Sequence, residues 1–397
     1  STSMSESEVI KVGSRKSKLA MIQTNFVINR LKELHPHLNF EIESMDTIGD
    51  KELHKPLPKI GEKSLFTAEL EIALKEKRVD FAVHSLKDLP TVLPEGLVLG
   101  AVCRREDARD VVLLNGKYEG KKLKELPERS VIGTSSLRRT AQLRRNYPQF
   151  TVENIRGNLE TRFRKLTSEE NSYAAIILAS AGVKRMGWLD RIGQVLDGEE
   201  MLFAVGQGAL GVECRENDPK TLSLLESLHD FETVCCVIAE RSFLRKLEGG
   251  CSAPVGVYSK FSNNTIQFIG AVWSLNGKKE LKLEEKFNLN EACPDSDETE
   301  EPKSKLMHLE EKNFVGVAAG SFSLSKLAAV ENFGEEVANN LIKRGASEIM
   351  SEAKDEIKRS IAVGNSGEKV VNNLSKHGAS LNVITAKDET KLSTTSL

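Results

Sequence analysis

The chain has 397 residues, 39% of them apolar, and a formal net charge of -2. It is too long for one ordinary core and apolar enough to bury two or three. The near-neutral balance excludes a polybasic nucleic-acid binder and an acidic tail protein, and no apolar stretch approaches the length of a membrane span.

The first residues, Ser1 to Val9, are polar and acidic, without the basic and apolar regions of a signal peptide. The six cysteines, Cys103, Cys214, Cys235, Cys236, Cys251 and Cys293, form no CxxC pair and no ligand-like spacing. No metal is expected, and a reducing cytoplasm is the expected compartment.

Val9 to Val12 reads as a strand, Leu19 to Leu34 as an amphipathic helix, and Phe40 to Thr47 alternates again as a strand. Asp46 to Phe66 is rich in turn residues and long enough for a mobile lid. A second helix follows, with Thr67 as its cap and Glu69 and Glu71 in its first turn. The apolar run Val79 to Val83 is a buried strand, and the βαβ rhythm predicts a largely parallel sheet. His84-Ser-Leu-Lys-Asp-Leu-Pro90 stands at that strand's carboxyl end, where open α/β sheets bind ligands. Asp88 is therefore placed as an active carboxylate with Lys87 beside it, although a Lys-Asp pair before proline also suits a solvated turn.

The middle of the chain repeats the rhythm with different electrostatics. From Ser130 to Leu166 there are eight basic residues against Glu153 and Glu160, a local balance of +6. Strands at Ser130 to Gly133 and Phe150 to Ile155 each lead into an arginine-bearing helix. Arginine forks and helix N-termini both hold carboxylates or phosphates, so an anion is expected here. Arg144, Arg145 and Arg164 read as exposed helix residues. Few aromatics interleave the run, which disfavours RNA. Downstream, Gly206, Gly208 and Gly211 have GxGxxG spacing without the strand, helix and acidic residue of a dinucleotide site, and a tight crossing between domains is the better reading.

From about Asp230 a helix leads into Leu247-Glu-Gly-Gly-Cys-Ser-Ala-Pro-Val-Gly256, followed by strand-like segments. Two glycines and a proline form a loop that presents the Cys251 thiol, although a small buried cysteine after a glycine cap has the same local pattern. Phe314 to Val317 resumes a strand. Glu291 to Glu301 holds six acidic residues and no basic one, marking a solvated insertion over about 288–306. The expected domains are 1–104 with 206–229, then 105–205, then 230–357, leaving 358–397 as a disordered tail.

Seven motifs in this order, Arg15-Lys-Ser17, Gly61 to Thr67, His84 to Pro90, Gly133 to Arg139, Ile155 to Asn158, Ala204 to Gly211 and Leu247 to Val255, resemble the porphobilinogen deaminase (hydroxymethylbilane synthase) family over roughly Val9 to Glu356. The acidic stretch resembles the third-domain insertion of its animal-type members. Ala68 stands where the family leads one to expect lysine, and the tail after Ile357 has no counterpart.

The resemblance implies two α/β domains of the type II periplasmic-binding-protein kind with a cleft between them, plus a third small α+β domain carrying the cofactor cysteine. It implies a transferase of haem biosynthesis that joins four porphobilinogen molecules head to tail and releases ammonia. The implied cofactor is dipyrromethane, held as a thioether on Cys251; a soft sulfur suits capture of the electrophile left when an aminomethylpyrrole loses ammonia. By motif match Asp88 is catalytic, and Lys87, Asp88, Ser135, Arg138, Arg139, Arg162 and Gln207 serve the cofactor. Arg15, Ser17, Gln23, Arg156 and Arg185 serve the substrate. A monomer is implied, with product passed to uroporphyrinogen III synthase and no nucleic acid or membrane as partner.

Two other classes compete. A non-enzymatic anion-binding or sensor protein on the two-domain scaffold explains the arginines but not the cysteine loop. A cysteine acyltransferase requires His84 or His229 near Cys251.

Overall fold

Two five-stranded sheets with the same wiring account for the first two thirds of the chain. The computed structural model describes residues 8–51, 65–248, 253–294 and 313–364. In the first sheet β1 (Val9–Arg15) lies parallel to β2 (Asn39–Met45) and to β3 (Phe81–Ser85), in the order β2-β1-β3-β10-β4. β4 is Leu97–Val102, and β10 (Leu210–Arg215) is antiparallel to both its neighbours. In the second sheet the order is β7-β6-β8-β5-β9, with β6 (Val131–Gly133) parallel to β7 (Thr151–Glu153) and β8 (Tyr173–Ala179). β5 (Asp110–Leu114) runs antiparallel to β8 and to β9 (Ile192–Val195).

The largely parallel sheet expected from sequence is thus parallel over three strands and reversed at a fourth. The reason is the wiring: the chain leaves sheet one after β4, builds sheet two, and returns as β10 from the opposite end. Twice-crossed sheets of this order are the type II periplasmic-binding-protein arrangement.

The crossings pack closely. Gly206 and Gly208 both have positive φ, and a Cβ on Gly208 would lie 2.7 Å from the Glu106 carbonyl of the other crossing. The GxGxxG spacing is therefore a tight backbone crossing, as its sequence context indicated.

A third unit follows: α8 (Phe231–Glu248), the antiparallel sheet β11 (Val255–Ser262), β12 (Thr265–Trp273) and β13 (Glu280–Asn288), and the helices Leu324–Lys343 and Ala346–Gly364. Val234, Val237, Ile238 and Phe243 of α8 pack with Phe268 and Val337 in one apolar core. Glu240, fully buried on the same helix, joins the crossings to this unit. It accepts Arg105 Nη2 at 2.9 Å, Gly206 N at 2.9 Å and Ser259 Oγ.

Several expectations need correction. Residues 358–364 continue the last helix rather than beginning a disordered tail, because Ser360 is buried and its hydroxyl donates to the Glu356 carbonyl. Phe314 and Val317 form only an isolated bridge at a tight turn, not a strand, with Val315 and Gly316 at positive φ. Asn288 caps a short helix, Leu289–Ala292, so the acidic insertion begins as ordered chain. Thr67 precedes the helix α3 (Ala68–Lys75) but makes no side-chain capping bond, while Glu69 and Glu71 do stand in its first turn, Glu71 buried. Lid residues 52–64, insertion residues 295–312 and tail residues 365–397 lie outside the described residues, as does Cys251.

Candidate active site

The cleft of about 290 Å³ is lined from both sheets. From the first come Arg15, Ser17 and Gln23, at the end of β1 and on α1 (Lys18–Leu34), with Ser85, Lys87 and Asp88 just beyond β3. From the second come Arg139 on α4 (Leu137–Asn146), Arg162 on α5 (Leu159–Thr167), and Arg185 on α6 (Ser180–Arg185). Both groups sit at strand carboxyl ends, so the placement of Asp88 and the convergence of the arginine groups follow from the α/β wiring.

The local sequence explains each presentation. Ser17 caps α1 by accepting Ala20 N, which starts the helix directly after Arg15. Ser136 and Asn158 cap α4 and α5, accepting Arg139 N and Thr161 N, and these caps turn the arginine-bearing first turns toward the cleft. Leu86–Asp88 is a single 3₁₀ turn closed by Leu89 N on the Leu86 carbonyl, leaving Lys87 and Asp88 half-buried at the cleft wall.

Cations dominate this space. Six basic side chains line it against Asp50, Asp88 and Glu160, and two of those carboxylates are already engaged. Asp50 pairs with Arg15, whose guanidinium also lies 4.6 Å from the Phe66 ring centroid; Glu160 meets Lys18 at 3.3 Å. Burial lowers Lys87 to about 8 with help from the Arg139 and Arg162 charges, and Asp88 opposes that shift. Burial and Arg139 likewise lower Arg162 to about 10, again against Asp88. Burial also lowers Arg185. Cations that press down one another's pKa are relieved by an anionic ligand. The dipyrromethane group, with several carboxylates, fits this donor set.

Other residues singled out from sequence lie behind the wall. Arg138 is 8% exposed, and its guanidinium donates to Asp110 Oδ2 at 2.8 Å, the Leu202 carbonyl at 2.7 Å and Gln207 Oε1 at 3.3 Å. Gln207, fully buried, donates to Asp110 Oδ1 and the Ala108 carbonyl, both at 2.7 Å. Ser135 Oγ donates to the Ile155 carbonyl at 2.7 Å and accepts Ile155 N at 3.1 Å, pinning the strand end before Arg156. Arg138, Gln207, Ser135 and Arg156 are not among the residues lining the cleft. Gln23 lines it, with its amide donating to Ser85 Oγ at 2.9 Å.

Arg144 and Arg145 are not simply exposed. They donate to carbonyls of Leu275, Gly277 and Lys278, tying α4 to the β12–β13 turn. A Cβ on Gly277, at φ +73°, would lie 2.2 Å from the Ala141 carbonyl, so the turn rests directly on α4. The sequence reading missed Asp110, Asp50, Glu240 and Arg105. Their only local signal was a buried or turn position next to charges, and their partners are distant in sequence.

His84 and His229, the two histidines named for an acyltransferase, are both engaged inside the protein, and Cys251 lies outside the described residues. His229 Nδ1 accepts Val102 N at 2.9 Å, and Nε2 faces the Ala318 carbonyl at 2.7 Å. His84 is 5% exposed, and its Nε2 lies 3.0 Å from Glu213 Oε1. Among the described residues no helix is long and apolar enough to cross a membrane, and no group of three or more metal-ligating side chains is gathered.

A two-domain α/β scaffold with a cation-rich cleft around a half-buried carboxylate that has no recorded ion pair among the described residues is thus the class of protein that fold and site define. Residues 10–223 match the model of the porphobilinogen deaminase dipyrromethane cofactor-binding domain, and 234–300 match that of the porphobilinogen deaminase C-terminal domain. The chain is 50% identical over 283 residues to a porphobilinogen deaminase of Desulforamulus reducens, covering 71% of this chain and 90% of that one. It is 43% identical over 349 residues to one of Parasynechococcus marenigrum, covering 88% and 98%. A looser likeness, at 16% identity and TM-score 0.34, links 58% of this chain to 92% of a periplasmic VFT2 domain of Bordetella pertussis BvgS. The chain belongs to the porphobilinogen deaminase family.

Proposed function

We propose that the cleft is where this chain performs its family's reaction, with Asp88 as the catalytic carboxylate and Cys251 as the anchor of the dipyrromethane. That reaction is the head-to-tail condensation of four porphobilinogen molecules into hydroxymethylbilane, with one ammonia released for each. When bound, the dipyrromethane supplies the free pyrrole carbon from which the chain grows.

The observation that carries this reading is Asp88, the one cleft carboxylate with no ion pair recorded among the described residues, set half-buried among Lys87, Arg139 and Arg162 at the end of β3. Positive charge develops on a pyrrole nitrogen as ammonia leaves, and again as the new carbon bond forms. A carboxylate already in place, accepting from ring N–H groups, stabilises both states without reorganisation. Lys87, Arg139 and Arg162 hold the carboxylates of the cofactor, while Arg15, Ser17 and Arg185 receive those of the incoming substrate. Gln23 keeps Ser85 oriented at the turn. Arg138, Gln207 and Ser135 act from behind, fixing Asp110 and the strand end before Arg156. The domain limits proposed are 1–104 with 206–229, 105–205, and a third unit from 230 through the last described helix.

The same reading makes the protein cytoplasmic and monomeric, with its product consumed by uroporphyrinogen III synthase. An animal-type assignment rests on the acidic stretch alone, and the relatives compared are bacterial.

Intact mass of the denatured protein, purified from a host making porphobilinogen, tests the assignment beside Cys251→Ser. An excess of two pyrrole units in the wild type, absent from the variant, is expected. No excess in folded, well-supplied wild type overturns the reading.

A further inference from the structure

Three consecutive carbonyls of the segment leaving Asp88 are held by two arginines one turn apart on α8. Arg241 Nη1 donates to the Leu89 carbonyl at 3.4 Å, and Nη2 donates to that of Pro90 at 2.8 Å. Its Nε donates to the Val315 carbonyl at 2.9 Å. Arg245 Nη2 donates to the Thr91 carbonyl. The i, i+4 spacing puts both side chains on one face of the helix.

The arrangement is costly for packing alone. Arg241 is 1% exposed, and among the described residues no carboxylate is recorded in ion-pair contact with it, the buried Glu213 acting only at longer range. A methionine would fill similar volume without desolvating a charge. What the guanidinium adds is direction, because it donates only to carbonyls presented in its plane. The segment is suited to such a grip: Pro90 has no N–H, and Leu89 N closes the turn on Leu86, so the outward carbonyls are what remain to be held. The Val315 turn is itself fastened to β4 by Leu99 N on the Gly316 carbonyl at 2.8 Å, which makes the contact a joint between α8 and the first sheet.

We propose that Arg241 and Arg245 are positioning residues for Asp88, fixing the catalytic turn to the helix whose C-terminal end leads in sequence to Cys251. The proposal rests on Asp88 being the catalytic carboxylate. In it, α8 sets where the carboxylate stands, and loosening the grip costs turnover while leaving the anion-binding side chains outside that turn, Arg139 and Arg162 among them, in place.

The test uses holoenzyme with Arg245→Gln, Arg241→Lys and Arg241→Met, each alone and with Asp88→Asn. Cofactor content by intact mass, thermal midpoint, hydrogen exchange over residues 86–93, kcat and KM are measured. For Arg245→Gln the expected result is full cofactor content, faster exchange over 86–93, kcat lowered about 5- to 10-fold and KM within about twofold. Arg241→Met is expected to show a larger kcat loss that Arg241→Lys partly restores. In the Asp88→Asn background Arg245→Gln is expected to add no further loss, since it acts through that carboxylate.

Equal losses in both backgrounds, or a lower midpoint with unchanged kcat and exchange, overturn the proposal in favour of a purely structural brace. Should Arg241 variants not accumulate folded, Arg245→Gln decides alone. Near-normal turnover of Asp88→Asn by itself overturns the reading of Asp88, an outcome distinct from additivity at the arginines.

Discussion

Asp110 receives Arg139 as a bidentate pair, Nη2 to Oδ1 at 2.9 Å and Nε to Oδ2 at 3.1 Å, while Arg138 Nη1 shares Oδ2 at 2.8 Å. One fully buried carboxylate at the start of β5 thus aims an arginine of the cleft from behind. Its two arginine partners hold the Asp110 carboxyl well below the usual carboxylate range despite burial. A depressed folded-state pKa gives stability that is present above the unfolded value near 3.9 and lost as pH falls below it. Asp110→Asn leaves two buried cations short of a partner, and a loss of about 3–5 kcal/mol is expected in urea unfolding at pH 7, shrinking toward pH 3.

Arg138 and Arg162 should fail differently. Arg138→Leu breaks the buried network with Asp110, the Leu202 carbonyl and Gln207, so it is expected to lower the thermal midpoint and to yield protein poor in cofactor. Arg162 lines the cleft and among the described residues its side chain bonds through Nε alone, to the Gly157 carbonyl at 3.1 Å, so Arg162→Leu is expected to keep the midpoint while weakening cofactor retention. Thermal unfolding and intact mass on the same preparations separate the two.

Asp88→Asn preserves shape and removes charge. Folding and cofactor content are expected to persist, with kcat lower by about 10²-fold or more, as for other groups that stabilise developing charge. Single-turnover measurement with porphobilinogen checks the chemical step directly.

Lys87, lowered to about 8, is expected to titrate within reach of assay conditions in the cofactor-free Cys251→Ser protein. The unfolded chain keeps that proton to about 10.4, so between about 8 and 10.4 the unfolded state binds more protons and stability rises with pH. Lys87→Met should abolish this rise in urea midpoints measured from pH 7.5 to 9.5.

Glu71, 6% exposed, is pushed up to about 7 by burial and by the Glu213 charge. Its proton is held in the folded state and lost near 4.3 when unfolded, so its contribution to stability falls as pH rises from about 4.3 to 7. Glu71→Gln, which stays neutral, is expected to raise the thermal midpoint more at pH 8 than at pH 5. Equal gains at both would assign the effect to packing.

The order of the motifs, the +6 stretch and the turn after β3 were legible because each is local: strand periodicity, capping residues and charge density are properties of neighbouring positions. They were enough to indicate the two-sheet scaffold, the cation-lined cleft and Asp88 at a strand end. The glycine spacing at 206–211 also read correctly, since strand, helix and acidic residue are not arranged around it as a dinucleotide site requires.

What the sequence could not decide was which of two adjacent arginines reaches the cleft. Arg138 and Arg139 point about 100° apart on α4, and their destinations depend on Asp110, Leu202 and Gln207, which are contributed by other strands and crossings. The reversal of β10 and β5, the seating of Arg144 and Arg145 on the β12–β13 turn, and the grip of Arg241 on the carbonyls after Asp88 arise in the same way. Each is a contact between segments far apart in the chain, and only the tertiary packing that buries those segments together determines which partners a charged side chain must satisfy.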